Sequence, residues 1–510
     1  MAVVESVPDV PGRRRRLRLR HPATLDEIGE IEIHTADDVR AAVESARKAQ
    51  PHWAEASFEE RGRVLRRAVQ VLLQRQDEFV ATIARETGKP EFEALSAELL
   101  AGCDALEFWA KRARKVLADR TVPLHLMKSK KLRLVHKPLG VVGIVTPWNF
   151  PFLLALNPTA QALMAGNAVV LKPSEVTPHA GHLVEELFRA AGLPEGLVQC
   201  VTGDGTTGAA LVEAGVDKIS FTGSVRTGRK VAEACGRQLV PCTLELGGKD
   251  PMVVCADADL ERAAAGAVYG AFANAGQVCV STERVYVVDE VADEFVRRVV
   301  ELTGRLRQGT GGETDVGPMI WPPQLEVVER HVEDARRRGA RVRTGGRRNP
   351  SYPGLFYEPT VLTEVDHDML VMREESFGPL MPVMRVRDEA DALRLANDSA
   401  YGLNANVWTR DKRRGVELAR QIQSGCAVVN DCMITYGIPE SPFGGVRESG
   451  LGRVNGELGL KGYCSVQSIV VDRFGSKSEP IWFPYDARKT RRLRRAMRLL
   501  WGTPLGRWLS

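Results

Sequence analysis

A cysteine and a glutamate, thirty-four residues apart and each close to glycine, are the residues through which this chain could do covalent chemistry. Cys279 closes Asn274-Ala-Gly-Gln-Val-Cys279, a small-residue loop approached through a segment kept slim by Gly266, Gly270 and Ala271. Glu245 lies in Leu244-Glu-Leu-Gly-Gly-Lys249, where an apolar strand-like run meets two glycines that can open onto a cavity. A thiol and a carboxylate at such a turn can attack an electrophile and then hydrolyse the covalent product with base assistance. A cysteine alone argues little, because buried thiols are mostly small hydrophobes. Its surroundings decide.

Three further stretches could hold a phosphate or a ribose. Gly203-Asp-Gly-Thr-Thr-Gly208 formally matches GxGxxG, but no acidic residue follows at the spacing of the dinucleotide fingerprint, so a tight strand-to-helix turn is the better reading. Phe221-Thr-Gly-Ser-Val-Arg-Thr-Gly228 ends a strand and opens a helix, whose free N–H groups attract phosphate oxygens. Lys172-Pro-Ser-Glu175 also sits at a strand end, with a Lys for a ribose or phosphate and a Glu for two ribose hydroxyls. Taken singly, such a turn is most often a solvated loop.

The elements that must carry these residues are legible as periodicity. From Gly140 the pattern alternates: strand 141–146, helix 153–165, strand 168–172, helix 179–191, strand 198–201, helix 208–214, strand 218–222. Strands alternating with helices of this length predict a parallel sheet covered on both faces. A second alternating set runs from Pro251 to about Asn430. Ahead of both lie helical patterns over 41–49, 59–76, 78–87 and 92–115, with a helix start at Thr35-Ala-Asp-Asp38. Runs at 124–127 and 132–136 read as a hairpin of the kind that reaches a partner subunit.

Composition bounds the class. The 510 residues are 44% hydrophobic and 26% charged, with no apolar run long enough to span a bilayer. Nine cysteines without CxxC or zinc-ligand spacing predict reduced thiols, a cytoplasmic setting and no metal site. The net charge of +5 is uneven: residues 1–20 carry +4, residues 485–510 carry +7, and the body between them is at −6. An acidic body argues against nucleic acid as a partner. The first twenty residues read as a loosely attached basic tail.

In this order the pieces resemble the aldehyde dehydrogenase superfamily. The likeness rests on Pro147-Trp-Asn-Phe-Pro151, Lys172-Pro-Ser-Glu175, Phe221-Thr-Gly-Ser224, Glu245-Leu-Gly-Gly-Lys249, Gly276-Gln-Val-Cys279, Glu374-Glu-Ser-Phe-Gly-Pro379 and Pro442-Phe-Gly-Gly445, and covers residues 21–475. It implies an α/β fold of two doubly wound parallel-sheet domains with a small β oligomerisation arm, assembled as a homodimer or homotetramer. The expected parts are a basic tail (1–20), an NAD(P)-binding domain (21–121 and 142–246), the arm (122–141 and 447–475), a catalytic domain (247–446) and a C-terminal extension (476–510).

By the same resemblance Cys279 is the nucleophile toward a small-molecule aldehyde. The Asn149 amide and the Cys279 N–H hold the oxyanion, and Glu245 activates the water that hydrolyses the thioester. Lys172 and Glu175 resemble adenosine-ribose contacts, Ser224 with Gly223 and Gly228 the phosphate turn, and Glu375 a nicotinamide-ribose contact, while Trp148 and Phe377 belong to the cofactor pocket. Glu175 favours NAD over NADP. The alternatives are a CoA-acylating dehydrogenase, which does not need Glu245, and an inactive scaffold, which would not need Cys279, Glu245 and Asn149 together.

Two features lie outside the resemblance. The loop 430–442 is short and largely apolar, with no Arg to clamp a substrate carboxylate. Residues 490–501 form an amphipathic pattern, with Leu493, Ala496, Met497, Leu500 and Trp501 on one side and Arg491, Arg492, Arg494, Arg495 and Arg498 on the other. Leu499 is the misfit, and Trp508 offers a second aromatic anchor. Such a helix can lie in an anionic membrane interface, which would suit a lipophilic aldehyde, or dock on the protein's own surface or a neighbouring subunit.

Overall fold

The computed structural model describes residues 3–7, 14–502 and 504. The chain divides into two compact units, Met1–Val116 with Pro138–Tyr463, and Leu117–Lys137 with Cys464–Ser510. The later segment of the second unit begins at Cys464, after Gly450–Leu451 has paired antiparallel with Leu244 and Glu245 in the first.

Two sheets organise the first unit. The six-stranded sheet runs Gly450–Leu451, Cys242–Glu245, Lys218–Thr222, Val141–Val145, Ala168–Lys172, Val198–Cys200, all parallel but the first. Two interior strands, Val141–Val145 and Ala168–Lys172, are almost wholly buried apolar runs, as a sheet with helices on both faces demands. The seven-stranded sheet runs Arg341–Val342, Thr360–Thr363, Leu380–Val386, Thr282–Val288, Asp250–Val254, Asn406–Trp408, Val428–Val429, parallel except at its first edge. The fold is α/β, as expected.

Helices begin and end where side chains satisfy their free backbone groups. Thr35 caps Ala36–Glu55 and Asp38 returns the bond, a reciprocal capping box. Asp204 caps Gly205–Glu213, so the GxGxxG match is a strand-to-helix turn. The pattern read as one helix over 92–115 contains a π-helical stretch, Ala94–Leu100.

The described part of the basic N-terminus, residues 3–7 and 14–20, is not loosely attached. Val4–Ser6, Arg16–Arg20 and Glu27–Glu32 form an antiparallel sheet. Leu17 and Leu19 point into a small core with Ile31 and Ile33, while Arg16, Arg18 and Arg20 face Glu32, Glu30 and Glu5 at 3.2, 3.0 and 3.5 Å. The Arg-Leu-Arg-Leu-Arg alternation is a strand signal of period two that charge density obscured.

The second unit carries a three-stranded sheet in the order Cys464–Asp472, Lys130–Pro138, Arg120–Val122, the last two antiparallel. The first arm of the hairpin lies at 120–122, ahead of the 124–127 expected. Helix Ala487–Gly502 follows, starting three residues before the predicted 490. Trp508 falls outside the described residues.

Candidate active site

Cys279 stands where two cavities meet. The smaller, of about 130 Å³, is lined by Trp148, Asn149, Gly223, Ser224, Glu245, Glu375, Phe377 and Cys279, among others. The larger, of about 1280 Å³, reaches the same thiol from the other side through Phe150, Leu153, Leu154, Val268, Phe272, Val278, Met433, Ile434 and Tyr436. Eight residues singled out from sequence therefore share one wall, although 229 positions separate Trp148 from Phe377.

Backbone strain presents the thiol. Helix Leu260–Phe272 ends, and Asn274, Ala275 and Gly276 follow with φ of +50°, +54° and +73°. Three consecutive left-handed residues are costly and persist only where neighbours over-determine them. Here Asn274 N–H donates to Glu93 at 2.8 Å, the Gln277 side chain donates to the Asn274 carbonyl at 2.8 Å, and Gln277 accepts from Ile320 N–H at 2.7 Å. A Cβ on Gly276 would run into the Gly378 carbonyl, so the Cys279 loop and the loop carrying Glu375 and Phe377 touch backbone to backbone.

Asn149 is fixed from two directions. Its Nδ2 donates to the Gln277 carbonyl at 3.0 Å, and its own carbonyl accepts from Lys89 Nζ at 2.8 Å and Asn274 Nδ2 at 3.1 Å. Lys89 is buried against Glu98 at 2.7 Å, and Glu98 in turn accepts from the N–H groups of Phe152 and Leu153. The Asn149 amide nitrogen is thus committed to the loop, and its buried side-chain oxygen meets no donor among the described residues.

Electrostatics set the protonation states. Burial, then the charges of Asp250, Glu245 and Glu375, push the Cys279 thiol far above its ordinary value, so it rests protonated. Burial raises Glu245 well above the carboxylate range, opposed by Arg453, and neither of its oxygens meets a donor among the described residues. Glu375 is pushed up to about 8 by burial and by Glu283, against the Gly248 N–H that it accepts at 3.0 Å and the charge of Lys249.

The loop bearing Glu375 and Phe377 is held by a pair that sequence reading missed. Lys249 and Glu283 form a buried ion pair; Lys249 also donates to Ser376 at 3.1 Å, and Glu283 accepts from the N–H groups of Ser376 and Phe377, each at 2.8 Å. Deleting one member of such a pair typically costs about 3–5 kcal/mol, because the other charge is stranded. Phe377, at φ +45°, stands edge-on to Trp148 with ring centres 5.3 Å apart. The signal available was Glu283 itself, one of two adjacent charges, with Arg284, inside the fully buried strand Thr282–Val288.

The remaining residues expected to hold a cofactor lie at or just beyond strand ends of the six-stranded sheet. Lys172 Nζ meets Glu175 at 3.1 Å, leaving that carboxylate partly exposed. Ser224 caps helix Val225–Gln238, and buried Gly228 lets that helix close on Leu246, next to Glu245. Glu375 fits where it does because Gly247 has no Cβ to meet it. A pocket walled by Trp148 and Phe377, a partly free carboxylate at a strand end and an open helix N-terminus fit a nicotinamide dinucleotide.

The aldehyde dehydrogenase family model matches residues 10–469. The chain belongs to the aldehyde dehydrogenase family. A 4,4'-diapolycopene aldehyde oxidase of Methylomonas sp is 42% identical over 90% of this chain and 86% of its own. A glutarate-semialdehyde dehydrogenase of Pseudomonas putida is 36% identical, covering 89% and 94% respectively. Among solved structures, a Mycobacterium tuberculosis aldehyde dehydrogenase complexed with NAD+ superposes with TM-score 0.87 at 35% identity, over 91% of this chain and 96% of that one. This aldehyde dehydrogenase is accordingly an oxidoreductase that uses NAD(P).

Proposed function

We propose that this aldehyde dehydrogenase oxidises long, uncharged, apolar aldehydes to free carboxylic acids, with NAD as the preferred acceptor. The observation that carries the substrate class is the cavity of about 1280 Å³ leading to Cys279, walled mainly by aliphatic and aromatic side chains. The arginines at its rim are already engaged, Arg305 by Glu301 and Arg307 by Asp315 and Glu313. Met433, Ile434 and Tyr436 from the short apolar loop face the same space. A carboxylated semialdehyde would lose its hydration there without gaining a partner. The relative named for 4,4'-diapolycopene aldehyde supports this reading over those named for semialdehydes.

In the reaction, the Cys279 S–H proton passes to solvent water as Sγ adds to the aldehyde carbon. The developing oxyanion is stabilised by an Asn149 amide hydrogen and the Cys279 N–H. Bound NAD(P)+ is the acceptor of the hydride that this adduct releases, leaving a thioester on Sγ. Glu245, its oxygens unengaged, takes a proton from water as the oxygen adds to the thioester carbon. The C–S bond then breaks, sulfur regains a proton and the acid leaves. The presence of Glu245 favours water over a CoA thiol as the acyl acceptor. The unit carrying strands 120–122, 130–138 and 464–472 is read as the oligomerisation arm.

The test is a panel of straight-chain alkanals of increasing length beside glutarate and succinate semialdehydes, followed by nicotinamide absorbance. The specificity constant kcat/KM is expected to rise with chain length and to exceed that for either semialdehyde. Higher values for the semialdehydes would overturn the substrate class.

NAD over NADP is expected from Glu175, whose carboxylate would face a 2′-phosphate. Two unit charges near 4 Å interact by about 4 kcal/mol at an effective dielectric of 20; exposure and Lys172 reduce this to about 1–2 kcal/mol, on the order of tenfold in kcat/KM. Glu175→Gln should narrow that preference. A wild-type preference for NADP would refute it.

A further inference from the structure

The C-terminal helix Ala487–Gly502 buries none of its residues. Leu493, Met497 and Trp501 follow one another at four-residue spacing and are 55%, 50% and 48% exposed. Its seven cations, Arg488, Lys489, Arg491, Arg492, Arg494, Arg495 and Arg498, include no acidic neighbour within the helix. None of the five arginines from Arg491 to Arg498 is ion-paired among the described residues. The N-terminal arginines behave oppositely, since Arg16, Arg18 and Arg20 each meet an acid. Among the described residues, the C-terminal basic segment carries five arginines with no ion-pair partner.

Just before the helix, Ile481, Trp482, Phe483 and Tyr485 are exposed together, with the rings of Phe483 and Tyr485 4.5 Å apart. This group is fastened to the helix: Lys489 N–H donates to Asp486 at 2.6 Å and Lys489 Nζ to the Trp482 carbonyl at 2.7 Å. Aromatic, aliphatic and cationic side chains thus form one surface element over 481–502.

We propose that residues 481–502 dock this enzyme on the surface of anionic phospholipid bilayers. An anionic bilayer satisfies both faces at once, taking the Leu493–Met497–Trp501 stripe among acyl chains and the arginines among phosphates. Trp and Tyr favour that interface because each has an apolar body and a polar tip. A protein surface covering the apolar stripe would leave the arginine face in water, with its self-repulsion unrelieved. The helix lies on the membrane and does not cross it, because no helix among the described residues is long and apolar enough to span one.

The experiment is co-sedimentation of the full chain with vesicles of phosphatidylcholine alone or with one-third phosphatidylglycerol, at low and high salt. Two variants run alongside: Arg491→Glu/Arg494→Glu/Arg495→Glu, and Leu493→Ser/Met497→Ser/Trp501→Ser. All six positions are exposed and outside the active site, so soluble dehydrogenase activity should be unchanged and reports on folding. The wild type should pellet with the anionic vesicles at low salt, with a bound fraction at least about tenfold lower for the charge-reversed variant and for neutral vesicles. The serine variant should also lose binding. The proposal fails if the wild type stays in the supernatant with anionic vesicles at low salt, or if both variants bind as well as it does. It also fails if vesicles are ignored and the serine variant instead changes sedimentation velocity, which would place the stripe against a second copy.

Discussion

Cys279→Ala is expected to remove dehydrogenase turnover while cofactor affinity stays near that of the wild type. The loss should be on the order of 10⁴ or more in kcat, or about 5.5 kcal/mol of barrier, because no second group can form the covalent adduct. The eight other cysteines offer no substitute, since none lines either cavity. Cofactor affinity should survive because Lys172, Glu175, Ser224 and Glu375 sit on other elements, and alanine removes one sulfur without adding bulk. The strained run 274–276 is held by Glu93, Gln277 and Gly378, not by the thiol, so the loop should keep its shape. Steady-state rates with the best alkanal and a fluorescence titration with NAD measure the two halves separately. Turnover comparable to wild type would remove Cys279 from the mechanism; lost NAD binding would mean that the sulfur supports the smaller cavity.

What the sequence could and could not show follows from the range of the forces involved. The strands Ala168–Lys172 and Lys218–Thr222 were legible to the residue, the first as a continuous apolar run, the second as Ile219 and Phe221 alternating with polar residues, each bounded by turn residues. Thr35 and Asp38 announced their helix for the same local reason. The Arg16–Arg20 strand was misread because its acidic partners lie on Glu27–Glu32 and near the N-terminus, and only pairing turns a basic tail into an edge of sheet. The buried pairs Lys89–Glu98 and Lys249–Glu283 were harder still. A lysine in a Gly-rich motif reads as solvated until the fold brings an acid to it from thirty-four residues away. The individual site residues were visible as motif members. That Cys279 joins two cavities of tenfold different volume was not, because volume is a property of packing between distant segments.

Glu245→Gln separates the two halves of the reaction. The amide keeps the size of the carboxylate and cannot accept a proton from water, so deacylation should slow by about 10²–10⁴, the usual reach of a general base. Adduct formation and hydride release come earlier and should be nearly spared. Rapid mixing with excess aldehyde and NAD should give a burst of reduced cofactor close to one per site, then a slow steady rate, with acyl-enzyme recoverable as a mass increase on Cys279. The pH dependence carries the sign. Burial raises the Glu245 pKa well above the ordinary carboxylate value, so the protonated, inactive form persists to higher pH than an exposed glutamate would allow. Wild-type deacylation should therefore climb as pH rises through that shifted value, and in Glu245→Gln the climb should disappear. Its Oε1 lies 2.9 Å from where a Cβ on Gly444 would stand, so Gly444→Ala should crowd the same carboxylate without removing its charge. If the burst and the steady rate fall together in Glu245→Gln, the carboxylate acts before the thioester forms, and deprotonation of the resting Cys279 thiol becomes its role.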